Sequence, residues 1–389
     1  MKSNIGYVLA LLFTLASWQT MGEAVNALGG GGGASADFLM TYVVHSAYML
    51  SAPAYAILYA IIYCSGGVQH RPTRRFIATS VLATPLLMMC SYTWYYSLRH
   101  TVVSANSAVF QSNVAIVYLL EVLFLGHRPS LKNCGAVALM LCGVVGIALD
   151  SEYGRGGTAG NSATTPSAMG YAICVLSTLF YALYEVGFAR IANARASLHA
   201  TPGALPTDDA KADAAADDDA DAEGATQPPA TLMHAAMNSL LFLAVHGAST
   251  LVTMWAPLLA LSYTGIEPLQ MPDAATLATI GITALCDTVF NAALLFGVAV
   301  SSASQMAGGN VLIVPLGFVV DFFVHGAVAS VFTVVGSVVI VVGFVCLQPL
   351  PERCTRQRCT TPSVGGGTGH SILGSEDDAS EKGYDSTSE

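Results

Sequence analysis

Apolar residues run along this chain in blocks of about twenty, separated by short stretches rich in glycine, proline or charge. A helix rises about 1.5 Å per residue, so roughly 20 apolar residues span the hydrocarbon core of a bilayer. Blocks of that size predict ten membrane-spanning segments, numbered 1 to 10 in chain order, at 5–22, 38–63, 76–97, 101–125, 133–150, 168–189, 231–260, 274–298, 301–324 and 328–347. Between segments 6 and 7 the pattern stops. There "TDDAKADAAADDDADAEGATQPP" has too little apolar surface to fold and reads as a linker. The Ser-rich acidic tail around "SEDDASEKGYDSTSE" reads the same way, and the glycines 29–33 read as a flexible link.

Composition supports the pattern. The 389 residues are 53% hydrophobic and only 10% charged, against about 25% charged in a soluble domain. The net charge of −10 arises from residues 201–226, with eight acids and one Lys, and from residues 348–389, with seven acids and four bases. The remainder is neutral, with no basic surface for nucleic acid. Nine cysteines are scattered without C-x-x-C or Cys/His spacing, so no disulfide framework or metal site is expected.

Lys and Arg gather on the cytoplasmic side of short loops, which tests orientation independently. With the N-terminus inside, thirteen of the 15 Lys and Arg fall on the cytoplasmic side and only Arg99 and Arg155 on the other. Both termini are therefore expected in the cytoplasm. The first block also has Lys2 before a short apolar core and a small-residue site near Ala27, the layout of a cleaved signal peptide. A sequence repeat favours a retained segment instead.

That repeat pairs "GYVLALLFTL" from Gly6 with "GYAICVLSTL" from Gly170, at the starts of segments 1 and 6. An offset of 200 pairs Ser104 with Ser304, Glu121 with Asp321, Gly126 with Gly326 and Gly143 with Gly343. The unit is five segments, an odd number, so the second copy enters the membrane from the opposite side. Inverted repeats are the architecture of many secondary transporters, because two like halves can exchange roles across a central site.

The stretch "TVVSANSAVFQSNVAIVYLLEVLFLGHRPSLKNCGAVALMLCGVVGIAL" resembles the end of a first EamA-type repeat of the drug/metabolite transporter superfamily. "FNAALLFGVAVSSASQMAGGNVLIVPLGFVVDFFVHGAVASVFTVVGSVVIVVGFVCL" resembles the second half of solute carrier family 35, subfamily F, including its thiamine-transporter-like members. The resemblance covers all but the linker and tail. It implies an all-α integral membrane fold of ten transmembrane helices in two inverted five-helix repeats, and small-solute transport without ATP hydrolysis. Residues 1–150 would form the first repeat, and 168–190 with 231–347 the second. Residues 191–230 would form a disordered acidic cytoplasmic linker and 348–389 a disordered cytoplasmic tail. The family often carries Leu-Gly-Glu at the end of the fourth helix, where this chain has Leu125-Gly126-His127, so no role passes to that Glu.

Carboxylates inside apolar segments are costly, about 2.5 to 3.5 kcal/mol each at the bilayer centre, and so face the bundle interior or an aqueous path. Four occur: Glu121, Glu185, Asp287 and Asp321, with no Lys or Arg comparably deep. Asp287 sits mid-segment with Asn291 one turn later on the same face, a pair able to bind a proton or a cationic substrate. The alternative is a protonated Asp used for packing. Glu185, in "YALYEVGFAR", lies about one turn from the cytoplasmic end of segment 6, within reach of the interface or Arg190, while Tyr181 and Tyr184 could stack a planar ligand or serve as interfacial belt residues.

In segment 4, Asn106, Asn113 and Glu121 fall within an arc of about 80 degrees on a straight helix. "NVAIV" from Asn113 and "NVLIV" from Asn310 match at an offset of 197, which against 200 elsewhere implies an insertion within segment 9. Gly308, Gly309 and Pro315 make the backbone around Asn310 irregular, as at transporter sites. Substrate contacts are thus expected at Asn106, Asn113, Tyr181, Glu185, Asp287, Asn291 and Asn310. Glu121 and Asp321 are expected at a rim or gate. Pro53, Pro85 and Pro257 read as kinks, and His45 and His246 as buried hydrogen-bonded residues or proton-coupling groups.

An enzyme would need a catalytic constellation, and neither H-E-x-x-H, G-x-S-x-G nor a P-loop occurs. The expected function is secondary transport of a small polar metabolite by alternating access, with no cofactor and no metal. The alternatives are a non-transporting scaffold or sensor, and, among transporters, a nucleotide-sugar rather than a cationic substrate. The expected partners are a small molecule and the lipid bilayer, with a homodimer compatible with this architecture.

Overall fold

The computed structural model describes residues 2–29, 37–65, 72–98, 100–101, 103–127, 129–153, 168–200, 229–269, 272–326 and 330–348. Among these residues every regular element is helical. In chain order they are α1 (Lys2–Gly29), α2 (Asp37–Ser46), α3 (Ser51–Cys64), α4 (Arg74–Leu98), α5 (Val103–Gln111), α6 (Asn113–Leu120), α7 (Leu131–Tyr153) and α8 (Ala168–Ala200). Then come α9 (Pro229–Thr253), α10 (Trp255–Tyr263), α11 (Ala274–Val300), α12 (Ala303–Asn310), α13 (Ile313–His325) and α14 (Val331–Leu347). A 3₁₀ turn, Ala47–Leu50, joins α2 to α3, and a π turn, Glu121–Leu125, follows α6.

Seven helices are long and apolar enough to cross a membrane, and Val109–Leu125, Leu131–Ile147 and Val331–Leu347 form shorter apolar helices. The seven correspond to predicted segments 1, 2, 3, 6, 7, 8 and 9, and the shorter helices fall on segments 4, 5 and 10. The surface is apolar as well as the core, and some polar side chains are buried between helices. Phe332, Val335, Val338, Val342 and Val345 are exposed along α14, whereas Asn106, Glu185 and His246 are fully enclosed. An apolar exterior with the costly polar side chains turned inward is what a lipid solvent requires.

Two boundaries move. The linker was expected from residue 191, but α8 continues to Ala200, its last residues polar enough to leave the bilayer while still helical. Residues 201–228 and 351–389, which hold most of the linker and tail, lie outside the described residues. Pro53 and Pro257 each lie within one apolar span and stand just past an interruption of its helix, at Ala47–Leu50 and at Met254, where a missing N–H frees a carbonyl of the preceding turn; Pro85 lies inside α4.

Three helix pairs hold the bundle together: α7 with α14, α1 with α11, and α4 with α8. Small residues set the first pair. A Cβ on Gly143 would lie 2.7 Å from the Gly336 carbonyl oxygen, and one on Gly343 would lie 3.0 Å from the Ala136 carbonyl oxygen. Gly247 on α9 is tighter still, because its Cβ would run into the Met49 amide nitrogen of the 3₁₀ turn. Glu267 adds a cap beyond α10: its Oε2 accepts from the Phe38 amide at 3.0 Å, tying the start of α2 to the end of segment 7.

Segments 4 and 9 are both broken at mid-length, and in the same way. At the first break the Ser112 amide donates to the Val109 carbonyl, and at the second the Leu312 amide donates to the Gly309 carbonyl, each at 3.0 Å. Pro315 has no N–H for the Val311 carbonyl, which accepts from Val314 instead at 3.1 Å. Past the breaks, Gly126 and Gly326 adopt left-handed backbone with φ of 75° and 66°, a conformation that favours glycine. The breaks and these glycines are 200 residues apart, so no insertion lies between them. The Asn113 and Asn310 match at 197 is not a structural equivalence: Asn310 precedes its break and Asn113 follows its own.

The close approach at Gly247 predicts a large effect from one methyl group. Gly247→Ala should destabilise the protein by about 1–3 kcal/mol in denaturant titration in detergent. Gly146→Ala, where a Cβ meets nothing within 4 Å, should leave stability unchanged or raise it slightly.

Candidate functional site

Residues of α1, α4, α5, α8, α11 and the 3₁₀ turn line a partly open cavity with about 430 Å³ of space between protein atoms, open solvent included. Its charged group is Asp287. Tyr48 Oη donates to Asp287 Oδ2 at 2.5 Å, and Asn291 Nδ2 lies 3.1 Å from Oδ1 and 2.9 Å from Tyr48 Oη. Tyr48 and Asn291 are buried, and Asp287 keeps partial exposure to the cavity. The predicted i,i+4 pair is thus real and gains a third member from segment 2. Among the described residues Asp287 pairs with no Lys or Arg.

The remaining walls are aromatic. Trp18 packs against Trp94 at 5.9 Å between ring centroids, against Phe290 at 5.2 Å and against Phe110 at 6.2 Å; Phe110 lies 5.4 Å from Tyr181. Trp18, Phe110, Tyr181 and Phe290 also line a second cavity with about 230 Å³ of empty space. These four rings form a partition. On its far side the second cavity touches both helix breaks, through Gln111 and Asn113 at one and Asn310 and Ile313 at the other. Asn113 Oδ1, Asn310 Oδ1 and the Tyr181 hydroxyl are buried there with no hydrogen-bond partner. Buried polar atoms left unpaired cost free energy, so a site that holds several is suited to a ligand or to water that supplies the partners.

The other predicted residues separate. Glu185 does not reach the interface or Arg190. It is fully buried and its Oε2 accepts from Asn113 Nδ2 at 2.9 Å, because the break at Ser112 turns Asn113 toward α8. Tyr181 and Tyr184 are likewise enclosed, not interfacial, with rings 6.3 Å apart. Asn106 lines neither cavity; its Nδ2 donates to Ser97 Oγ at 2.7 Å and Thr101 Oγ1 at 2.8 Å, fastening the turn between α4 and α5. Glu121 sits in the π turn, 1% exposed, with His127 Nδ1 3.9 Å from its Oε2. Glu121, expected at a rim or gate, is thus enclosed in this conformation. The side chain of Asp321 lies outside the described residues. Among the described residues no three His, Cys, Asp or Glu side chains gather as metal ligands would.

Sequence reasoning did not select Trp18, Trp94, Phe110, Phe290 or Tyr48. An aromatic residue in an apolar segment carries no signal by itself, and these five come from five different segments. Polar contacts also close one end of the bundle. Tyr7 Oη donates to the Gln305 carbonyl at 3.1 Å and accepts from Gln348 Nε2 at 3.3 Å, and Lys132 Nζ donates to the Gln348 carbonyl at 3.0 Å. Tyr7 is eleven residues before Trp18, roughly 16 Å along the helix.

Residues 33–149 match the EamA-like transporter family. The match begins just before segment 2 and ends with segment 5, taking in both Tyr48 and the first helix break. Together with the apolar helices it points to a multi-pass membrane transporter. No curated protein matches the chain by sequence. Of 28 matching chains of solved structure, one, a crystal structure of a protein, has a TM-score of 0.52 at 14% identity over 87% of this chain and 95% of that one. At that identity the likeness concerns the fold alone.

The Asn113–Glu185 bond predicts strong coupling. Asn113→Leu leaves a buried carboxyl group without its partner and should cost about 1–3 kcal/mol. Glu185→Leu alone should cost a similar amount, and the double variant less than the sum by about 1 kcal/mol or more in a double-mutant cycle read by denaturant titration.

Proposed function

We propose that this protein is a secondary transporter that moves a small cationic, planar solute across a membrane by alternating access between two inverted five-helix halves. The observation that carries the reading is the carboxylate of Asp287, set in a cavity of aromatic rings and unpaired with any Lys or Arg among the described residues. A carboxylate attracts a cation, and ring faces stabilise it further by about 0.5–2 kcal/mol each when desolvated. Beyond the partition, the free oxygens of Asn113 and Asn310 would accept hydrogen bonds from the solute's donors.

The packing supports two halves. Exchange of segments 1 with 6, 3 with 8 and 5 with 10 carries the three main helix pairs onto themselves: 1–8 becomes 6–3, and 5–10 is unchanged. The two breaks share the offset of 200 residues found for Gly126 and Gly326. In this reading the chain has ten spans with both termini in the cytoplasm, and the Tyr7–Gln305–Gln348 contacts close the cytoplasmic end while the Asp287 cavity lies toward the other side. Residue similarity to solute carrier family 35, subfamily F, favours thiamine-like cations within this class. A nucleotide sugar is disfavoured because no cation lines either cavity to meet a diphosphate. A scaffold or sensor has no need of a carboxylate in an aromatic cavity.

Uptake of labelled thiamine and 1-methylnicotinamide into proteoliposomes tests the proposal. Asp287→Asn should lower uptake about 10- to 100-fold, the worth of a hydrogen-bonded charge contact. Trp18→Ala and Trp94→Ala should each lower it several-fold. Uptake of either cation that is indifferent to Asp287→Asn would remove the carboxylate from the mechanism; absence of counterflow with a broad cation panel would favour the scaffold. Tyr7→Phe removes two contacts that hold one end closed, so it should increase cysteine-reagent labelling of a Gln19→Cys probe from the cytoplasmic side several-fold. Unchanged labelling would place the closure elsewhere.

A further inference from the structure

Against the ring of Tyr48 the bundle encloses two imidazoles. His45 on α2 and His246 on α9 are 1% and 0% exposed. His45 Nδ1 is 3.5 Å from His246 Nε2, and His45 Nε2 is 2.9 Å from Ser91 Oγ. Ser91 lines the Asp287 cavity, so these contacts form a chain from the cavity into the protein. It ends at His246 Nδ1, which is buried and has no hydrogen-bond partner.

The four ring nitrogens of two neutral imidazoles carry two hydrogens. If His246 Nε2–H donates to His45 Nδ1 and His45 Nε2–H donates to Ser91, then His246 Nδ1 holds a lone pair that no group donates to. If the chain runs the other way, from the Ser91 hydroxyl through His45 Nδ1–H, then His246 Nδ1 holds a hydrogen that no group accepts. One ring nitrogen is spare in either arrangement, and in the second the donors point inward, so a proton entering through Ser91 lands on His45 Nε2 and passes from His45 Nδ1 to His246 Nε2. Imidazole is the side chain whose charge changes between about pH 5 and 8.

Tyr48 connects this pair to the carboxylate. Its ring is stacked on His45, with centroids 4.9 Å apart at 23°, and its centroid is 5.4 Å from that of His246. Its hydroxyl is the donor to Asp287 Oδ2. An imidazolium over this ring is stabilised by the π face and draws electron density out of the phenol, so the hydroxyl donates more strongly to Asp287. The carboxylate is then less available to a cation, and the two positive charges repel each other through an interior of low dielectric.

The other titratable groups around the pair come from each packed element. Tyr42 is on α2 itself, Cys90 on α4, Tyr181, Tyr184 and Glu185 on α8, and Cys286 and Asp287 on α11. The Tyr184 ring is 6.3 Å from His246. Glu267 meets the N-terminal end of α2 at Phe38, two turns from His45, and α3 buries no titratable side chain. None of these is a Lys or Arg, so a proton on the pair would bring the cluster its only cation among these groups.

We propose that His45 and His246 form a proton-binding site, separate from the substrate carboxylate, and that the proton it holds and a cation at Asp287 exclude one another, so that transport exchanges one proton for one cation. The proposal rests on the transport reading above and names its coupling ion. In one state the pair takes a proton through Ser91 and the cation leaves. In the other, cation binding at Asp287 expels that proton to the same side by the same path.

The test uses proteoliposomes of the full chain and labelled 1-methylnicotinamide, a permanently charged cation that a pH gradient cannot trap by deprotonation. Counterflow at equal pH on both sides reports transport. Uptake with the interior at about pH 5.5 and the exterior at about pH 7.5 reports coupling within the range where imidazole titrates. An outward proton gradient should raise the initial uptake rate of the wild type about tenfold, and nigericin should abolish the increase. His45→Gln and His246→Gln should keep counterflow within about twofold, which also shows that they fold, and should lose the stimulation. If both variants keep it, the proton is carried elsewhere, with Asp287 itself the candidate, and the pair is not the site. Wild-type counterflow without gradient stimulation overturns the exchange while transport stands. Absence of counterflow overturns the transport reading, and the proton site falls with it.

Discussion

The structure depends on one constraint: a polar side chain inside an apolar bundle must find its partners within the protein, because lipid offers none. Asp287 meets it with Tyr48 and Asn291, Glu185 with Asn113, and Asn106 with Ser97 and Thr101. The Tyr48–Asp287 and Asn113–Glu185 bonds join distant segments, so these costly polar groups also help fix which helices meet. Tyr48 can reach Asp287 because Gly247 lets α9 press against the 3₁₀ turn that carries it. A backbone contact between segments 2 and 7 therefore sets the geometry of a carboxylate on segment 8.

The same constraint explains the breaks in segments 4 and 9. An interrupted helix frees backbone and side-chain polar groups at mid-depth, which is tolerable only where protein or a cavity surrounds them. Both breaks open on the second cavity, and several polar atoms there have no protein partner. The site thus has two unlike parts. One is charged, aromatic and hydrogen-bonded internally; the other is neutral, lies between two broken helices and leaves oxygens unspent. The Trp18, Phe110, Tyr181 and Phe290 rings line both parts.

Much of this was legible in the residues. The ten apolar segments, the Asp287–Asn291 pair and the 200-residue spacing follow from hydropathy and from residues that are rare inside a membrane. The stripe of Asn106, Asn113 and Glu121 is buried along its whole length, but its members take separate partners: Asn106 bonds Ser97 and Thr101, Asn113 bonds Glu185, and Glu121 sits in the π turn near His127. Glu185 read as an interfacial acid because its depth along the helix was visible and its neighbours were not.

The sequence by itself determined that this chain lies in a membrane, where its helices run and which residues are too polar to face lipid, because transfer energy depends on each residue and its near neighbours. Only the tertiary structure decided which of those residues meet. Trp18, Tyr48, Trp94, Phe110 and Asp287 belong to five segments and carry no common sequence signal, yet they line one cavity. His45 and His246, 201 residues apart, become a pair in the same way. Packing of distant helices sets those contacts, and local patterns of hydropathy contain no record of it.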